Sequence, residues 1–510
     1  MAIETDATGA APSSATTGPS RSTLVVYFGA MIAMFMASMD MQIVVTALPT
    51  IAGELGNLHL FGWVGAAYLL STAAVAPFYG KLGDMYGRKM VLIAAIVLFL
   101  GGSLLCGLAW SMESLIGARV LQGIGGGGLM VSAFAIIGEL FQPRYRAKYQ
   151  GYTSAVFALS SIIGPVAGGY LTDLFGWRSV FLINLPAGAL VLAVIGLAMQ
   201  RKSTATRHRF DYLGGVLLAV ATTAIVYWGD HVLDPAGPDL WTFVLPVLGI
   251  AAGIAFVMVE NRAAEPIVPL RLFRNSTISL VTGISLLAGA GTLGMFFYFA
   301  LYIQTLTGLS PAIVGFIFLP ASISSMVVSV IAGRVIAATG RYKWLPVAAM
   351  ALGAVLMVGF LLVDSHTSLW ALGGMMAAFG ISMGLQFQVL MVAIQAAAPL
   401  SDIGAATALI SQSRTVGASF GLALNGAVMT WALTQQNGTL PPEISAALPD
   451  GLTGLTPHIV GTLQAATRDI VLGHYTAGLN VMFLFVAGVY ALATLLTLLL
   501  KDVQLPKRAS

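Results

Sequence analysis

The chain has 510 residues, of which 58% are hydrophobic and only 9% charged, and its formal net charge is +4. A soluble domain needs about 25% charged residues to cover its surface, so this composition excludes one. The small positive excess forms no dense basic block, which argues against nucleic-acid binding and leaves membrane orientation as the use of those charges.

Residues 1–23 are rich in Ala, Ser, Thr and Gly. They lack the basic, apolar and cleavage regions of a signal peptide and read as a disordered tail. Beyond them, about 20 apolar residues mark each helical crossing of a bilayer. That rule predicts an all-α membrane protein with 14 transmembrane helices: 24–48, 60–82, 90–109, 112–137, 149–172, 179–199, 212–231, 240–259, 277–302, 311–336, 344–363, 368–395, 403–432 and 479–501. With the N-terminus in the cytoplasm, twenty of the 24 Lys and Arg residues fall on the inner side. Only Arg178 and Arg468 face outward, and Arg119 and Arg414 lie within spans. This bias predicts that both termini are cytoplasmic.

Span 1 carries Asp40 inside "MIAMFMASMDMQIVVTALPTI" (31–51), the one carboxylate placed deep in any span. A charge at the bilayer centre costs about 2.5–3.5 kcal/mol on insertion scales, so it marks function. The loop after span 2 reads "GKLGDMYGRK", with Gly80, Asp84, Gly87, Arg88 and Lys89; Glu139, at the inner end of span 4, is a second carboxylate for Arg88. Span 4 carries Arg119 in "RVLQGIGGGG" (119–128). At 1.5 Å per residue, Arg119 sits roughly 10 Å and Asp40 roughly 12 Å below the outer ends of their spans, a depth that predicts contact between them. Span 5 carries Gly151, Ser160, Gly164, Pro165, Gly168 and Gly169, a helix kinked by its proline and lined with small residues.

Later landmarks repeat earlier ones. Gly80 and Gly333 are 253 apart, as are Gly164 and Gly417, and Pro143 and Pro399 are 256 apart. This spacing predicts two related bundles, 24–199 and 276–510, the second including the outward loop 433–478, with two inserted helices in 200–275 between them. Parallel six-span repeats build one large class of secondary transporters, with the substrate at their interface. Met36, Met39, Gln122, Tyr298, Gln304, Met383, Gln386 and Arg414 are the residues expected to line that pocket, methionine being suited to surfaces that fit many ligands. Arg414 either completes a carboxylate-free polar site in the second half or pairs with helix carbonyls. The single cysteine, Cys106, reads as packing. The six histidines lie in loops or at span edges, which gives no intramembrane relay or metal site, and the spans hold no nucleotide loop or catalytic triad.

These motifs together resemble the major facilitator superfamily and, more narrowly, its fourteen-span drug:proton antiporters, over nearly all of residues 24–501. Ser160 departs from the usual glycine of the span-5 antiporter signature, and "MQIVVT" (41–46) departs from the usual span-1 pattern. The resemblance implies that the Gly80–Lys89 cluster latches one state of the carrier, that spans 1 and 4 line a central cavity, and that span 5 seals the two halves. It implies a proton-coupled exporter of lipophilic, often cationic, compounds working by alternating access, with Asp40 and Arg119 as the coupling pair. Export of one endogenous metabolite, lipid, siderophore or antibiotic is the alternative on the same fold. The expected partners are protons, small lipophilic substrates and the bilayer, with accessory envelope proteins an open addition. The chain is expected to act as a monomer in a bacterial cytoplasmic membrane, without cofactor, metal, enzymatic activity or nucleic acid.

Overall fold

The computed structural model describes residues 21–140, 143–200, 211–233, 237–263, 266–364, 366–399, 402–448 and 450–501. The tail at 1–20, the basic stretch at 201–210 and the C-terminal 502–510 lie outside the described residues, as do the side chains of Arg21, Asp84, residues 143–151 and Ser154. Among the described residues all regular structure is helical, and fourteen helices are long and apolar enough to cross a membrane.

The first set comprises α1 (Arg21–Leu55), α2 (Phe61–Tyr86), α3 (Arg88–Gly107), α4 (Met112–Leu140), α5 (Pro143–Phe175) and α6 (Asn184–Ala198), the last entered through a short helical turn at Ser179–Leu182. Then come α7 (Tyr212–His231) and α8 (Leu240–Glu260). The second set comprises α9 (Ser276–Thr307), α10 (Pro311–Thr339), α11 (Trp344–Gly359), α12 (Leu369–Ala397), α13 (Ile403–Asn437) and α14 (Ala465–Leu498). We call the face where α1 begins and α14 ends the terminal face, and the opposite one the distal face.

Local chemistry sets several boundaries. Gly87 adopts φ +87°, a backbone state that other residues rarely reach, and so turns α2 sharply into α3. Asp239 caps α8, accepting the Thr242 N–H at 2.9 Å, and that bond holds its carboxyl below the usual carboxylate range. The span predicted at 479–501 begins earlier: α14 starts at Ala465, so part of the expected outward loop 433–478 is helix. The remainder contains the short helices Pro442–Ala447 and Pro457–Thr462.

Within the first set, α1 packs on α4, α5 and α6, and α4 lies against α2 and α3. In the second, α9 packs on α13 and α14, and α12 lies against α10 and α11. The two sets meet along three seams, α5 with α10, α2 with α13, and α1 with α9. Small residues let the backbones approach: a Cβ on Gly169 would stand 2.4 Å from the Pro311 carbonyl oxygen, and one on Gly315 2.4 Å from that of Pro165.

Five prolines stand inside helices, Pro49, Pro77, Pro165, Pro246 and Pro320, and each leaves a carbonyl without its usual partner, because proline has no N–H to give the residue four positions earlier. For three of them a side chain from a neighbouring helix donates instead, which suits a non-aqueous interior. Pro165 frees Ser161, whose carbonyl accepts from Ser322 Oγ of α10 at 2.7 Å. Pro77 frees Ala73, which accepts from Gln412 Nε2 of α13 at 3.0 Å. Pro246 frees Thr242, which accepts from Trp228 Nε1 of α7 at 3.1 Å. The first two of these bonds cross between the six-helix sets. Further crossings are Ser419 to Ala66 at 2.9 Å, Gln304 to Thr46 at 3.0 Å, and the Ala312 N–H to Asp173 at 3.2 Å. These bonds all lie at the distal end or near mid-depth.

The inserted pair has a defined place. α8 packs on α7, and α7 packs on both α2 and α13, so it covers the seam between the two sets. Val226 is buried with Leu70 of α2 and Ala423 of α13. A Cβ on Gly229 would meet the Phe420 ring at 2.9 Å. At the distal end, the buried Asp230 lies 3.6 Å from His59.

Candidate functional site

The deep acid of α1 sits in a closed polar cluster inside the first set. Asp40, Arg119, Gln122 and Ser103 are each 0% exposed. Asp40 Oδ2 accepts from Arg119 Nη1, while Oδ1 accepts from Gln122 Nε2 at 2.7 Å and from Asn184 Nδ2 at 2.9 Å. All three neighbours donate, so the cluster is built around the unprotonated carboxylate.

Arg119 has other anchors. Its Nη1 donates to Gln122 Oε1 at 2.7 Å and its Nε to the Val64 carbonyl at 3.1 Å. Its guanidinium carbon stands 4.3 Å from the centre of the Tyr68 ring. Tyr68 is itself fixed by donating to the Ala37 carbonyl at 3.1 Å. Ser103 accepts from Gln122 at 2.7 Å and from Asn184 at 3.2 Å. Glycines bring the helices close enough for this: a Cβ on Gly102 would lie 2.5 Å from the Gln122 backbone, and one on Gly126 2.4 Å from the Tyr68 hydroxyl. Cys106 is buried against Gln122, at 3.5 Å from its Oε1.

Depth on the two spans places Asp40 beside Arg119, and the structure joins them. It does so within the first set, with every described partner drawn from α1 to α4 and α6, and not at the interface between the sets. Sequence reasoning assigned Gln122 to a substrate pocket; here it holds the acid. Asn184 and Ser103 were missed. Their signal was an amide and a hydroxyl inside the apolar runs "FLINLPAG" and "FLGGSLLCG".

The remaining pocket residues are spread over both sets and the seams between them. Met36 is buried in the first set. Tyr298 donates to the Leu422 carbonyl at 3.0 Å and packs on Phe61, and Gln304 bonds Thr46, so both belong to the seams. Gln386 donates to Ser382 at 2.8 Å within the second set. Met39 and Met383 are half-buried. Arg414 packs against the Phe387 ring, 4.0 Å from its centre.

At the terminal face, Arg88 Nε donates to Glu139 Oε1, and Lys89 donates to the carbonyls of Gly196 at 2.7 Å and Met199 at 2.5 Å. These contacts tie the α2–α3 turn to α4 and α6. A Cβ on Gly80 would make only ordinary contact with Val131, at 3.9 Å. Asp84, expected to complete the latch, has its side chain outside the described residues, as does the surrounding of Gly151. On α5, Gly164 and Gly168 press on α1: a Cβ would stand 2.4 Å from Gln42 Cβ and 2.1 Å from the Ile43 carbonyl oxygen. Ser160 donates to its own helix at Val156, 2.9 Å, and stands 3.5 Å from the Phe35 carbonyl. Among the described residues no group of His, Cys, Asp or Glu could hold a metal ion.

Comparison with known proteins follows the same geometry. The family model of the Major Facilitator Superfamily matches residues 30–422. Multidrug transporter protein MdtP of Bacillus subtilis is 34% identical over 417 residues, 80% of this chain and 76% of that protein. An uncharacterized MFS-type transporter of Mycobacterium tuberculosis is 34% identical over 485 residues, 94% of this chain and 70% of that protein. Among solved structures, a bacterial homolog of the human lysosomal transporter Spinster, inward-facing and unoccupied, aligns with TM-score 0.68 at 18% identity, covering 94% of this chain and 98% of that one. The chain therefore belongs to the major facilitator superfamily and is a membrane transporter, not an enzyme.

Proposed function

We propose that this chain is a proton-driven exporter of lipophilic, drug-like compounds that works by alternating access, with Asp40 as the group that couples proton to cargo. The observation that carries this reading is the Asp40 cluster: a carboxylate deep in a span, held only by donors, beside a cation with other anchors. A proton on Asp40 discharges its pairing with Arg119. The Gln122 amide oxygen, the Val64 carbonyl and the Tyr68 face remain to hold the guanidinium. The closed cluster offers Asp40 only donors, so a proton loaded there breaks these contacts and works against this closed arrangement. Such a bias against one conformation is the coupling free energy alternating access needs. One proton moving through 100 mV supplies about 2.3 kcal/mol, and each unit of pH difference about 1.4 kcal/mol more.

Export as the direction is supported by the resemblance of the α5 signature, and drug-like cargo by the name of the Bacillus relative, a multidrug transporter. In this reading the terminal face is cytoplasmic, because it gathers most of the Lys and Arg residues. The seam bonds near the distal face then make this an inward-facing form, with Arg88 and Glu139 beside the latch. The carrier acts as a monomer in the cytoplasmic membrane of a bacterium.

The test is drug uptake into proteoliposomes under an imposed pH gradient. Wild type is expected to concentrate several unrelated lipophilic compounds, and Asp40→Asn to lose gradient-driven movement by about 100-fold, a magnitude in the range of a removed proton-transfer group. Full proton-coupled transport by Asp40→Asn would overturn the assignment. Movement of a single compound from a broad panel would mark a dedicated exporter instead.

A further inference from the structure

The second set holds a cation that nothing in its helices neutralises. Arg414 lies 11 residues into α13, roughly 16 Å along the helix from its terminal-face end. Its described contact is the Phe387 ring, and among the described residues no carboxylate or carbonyl accepts from its guanidinium. Between Ser276 and Leu498 the six helices carry only one carboxylate, Asp469, near the distal start of α14. Arg119 in the first set presents the opposite case, fully paired and fully buried. An arginine carries five N–H donors, and leaving them unanswered in a low-dielectric interior is costly.

The surroundings are built for access. α13 is flanked by α2, α7, α9, α12 and α14. Gln412 grips α2, Phe420 lies against α7, and the backbone at Arg414 and Gly417 packs on α9. Ser411 is nonetheless exposed, and Thr415 and Arg414 are half-buried. The strip they form therefore looks into the space between α2 and α12, that is, between the two six-helix sets. Phe387 stands on the α12 side of that space with 49% of its surface exposed. Met383 and Met391, one turn to either side of it on α12, are half-buried. The result is a planar cation on an aromatic plate, with apolar and sulfur surface around it and hydroxyls beside it.

We propose that Arg414, presented on Phe387, is an anion-recognition point in the passage between the two halves, and that the carrier's substrates include amphipathic compounds bearing an acid group, a sulfonate or carboxylate on an aromatic body. The guanidinium fork takes two acid oxygens at once, and the Phe387 edge and the methionines take the apolar body. This rests on the export reading for its setting and refines it by the charge of the cargo. Asp40, the acid that would attract cations, is enclosed in this conformation.

The experiment uses the full chain in lipid nanodiscs and two probes that differ only in charge, 8-anilinonaphthalene-1-sulfonate and the neutral N-phenyl-1-naphthylamine, with empty nanodiscs subtracted. Wild type is expected to bind the sulfonate saturably, and Arg414→Gln to bind it at least about tenfold more weakly, as loss of a charged hydrogen-bonding partner gives. The neutral amine is expected to bind both alike. Arg414→Lys is expected to fall between them, because lysine keeps the charge and loses the fork. Equal affinity of wild type and Arg414→Gln for the sulfonate overturns the proposal, as does an equal loss of both probes. Should Arg414→Gln fail to assemble, Arg414→Lys decides: sulfonate affinity unchanged from wild type refutes the fork, and a selective loss supports it. Gradient-driven uptake of neither probe in proteoliposomes would count against the export reading and leave the binding comparison standing.

Discussion

At the scale of single residues, the pairing of Asp40 with Arg119 is worth less as a stabiliser than as a constraint. Two ions moved out of water lose most of what their attraction returns, whereas removing one partner leaves a bare buried charge and costs about 3–5 kcal/mol. Asp40→Asn is therefore expected to lower the melting temperature of the detergent-solubilised protein, and Asp40→Asn with Arg119→Gln to recover most of that loss. The stability-restored double variant should still fail to couple transport to a pH gradient. If it transports normally, the pair is a structural strut and nothing more. Asp40 and Arg119 were legible in the sequence because charge in an apolar span is costly and depth can be counted along a helix. Asn184 and Ser103 were not, since one neutral polar residue in an apolar run is cheap enough to be common. Nor was the destination of Gln122, because helical phase does not say which of two neighbouring helices a side chain meets.

At the scale of elements, the glycines of α3 and α4 set how near the helices that carry the cluster can come. Two adjacent positions give a controlled comparison. A Cβ on Gly102 would collide with the Gln122 backbone at 2.5 Å, whereas one on Gly101 meets nothing within 4 Å. Gly102→Ala is expected to destabilise by about 1–3 kcal/mol, the usual cost of overpacking. Gly101→Ala should stay within about 0.5 kcal/mol of wild type. Thermal melting of the pair checks this, and equal melting would show that α3 and α4 are less tightly held than the geometry says. The fourteen helices themselves were legible because hydrocarbon thickness fixes a minimum apolar length. Their ends were less so. α14 starts at Ala465, where "ATRDIVLGH" is too polar to count as membrane span yet has no proline to stop a helix. The seam contacts of Tyr298 and Gln304 on α9 were not legible, because burial at a seam and burial around a cavity demand the same apolar composition.

At the scale of the whole molecule, landmarks spaced 253 residues apart led to the expectation of two bundles, but no feature of the sequence located α7. A uniformly apolar helix announces that it faces lipid and says nothing of its protein neighbours. The structure sets α7 over the α2–α13 seam, where it packs on both helices. If the seams at the distal face part during each cycle, locking one should stop turnover. Cysteines replacing Asp173 and Ala312, which meet across the α5–α10 seam, are expected to cross-link on mild oxidation and to abolish transport until reduced. Cross-linked protein that transports at the normal rate would show that this seam stays shut throughout.

The carbonyls freed by Pro77 and Pro165 add a rule about what can follow a separation of the halves. Each is an acceptor satisfied only by a side chain of the opposite set, and an acyl chain has no hydrogen to offer it. Stranded in hydrocarbon, each would cost about 1–3 kcal/mol. If the halves part at these joints, the crevice must flood as it widens and repel lipid tails, and cargo released there would leave into water and not sideways into the leaflet.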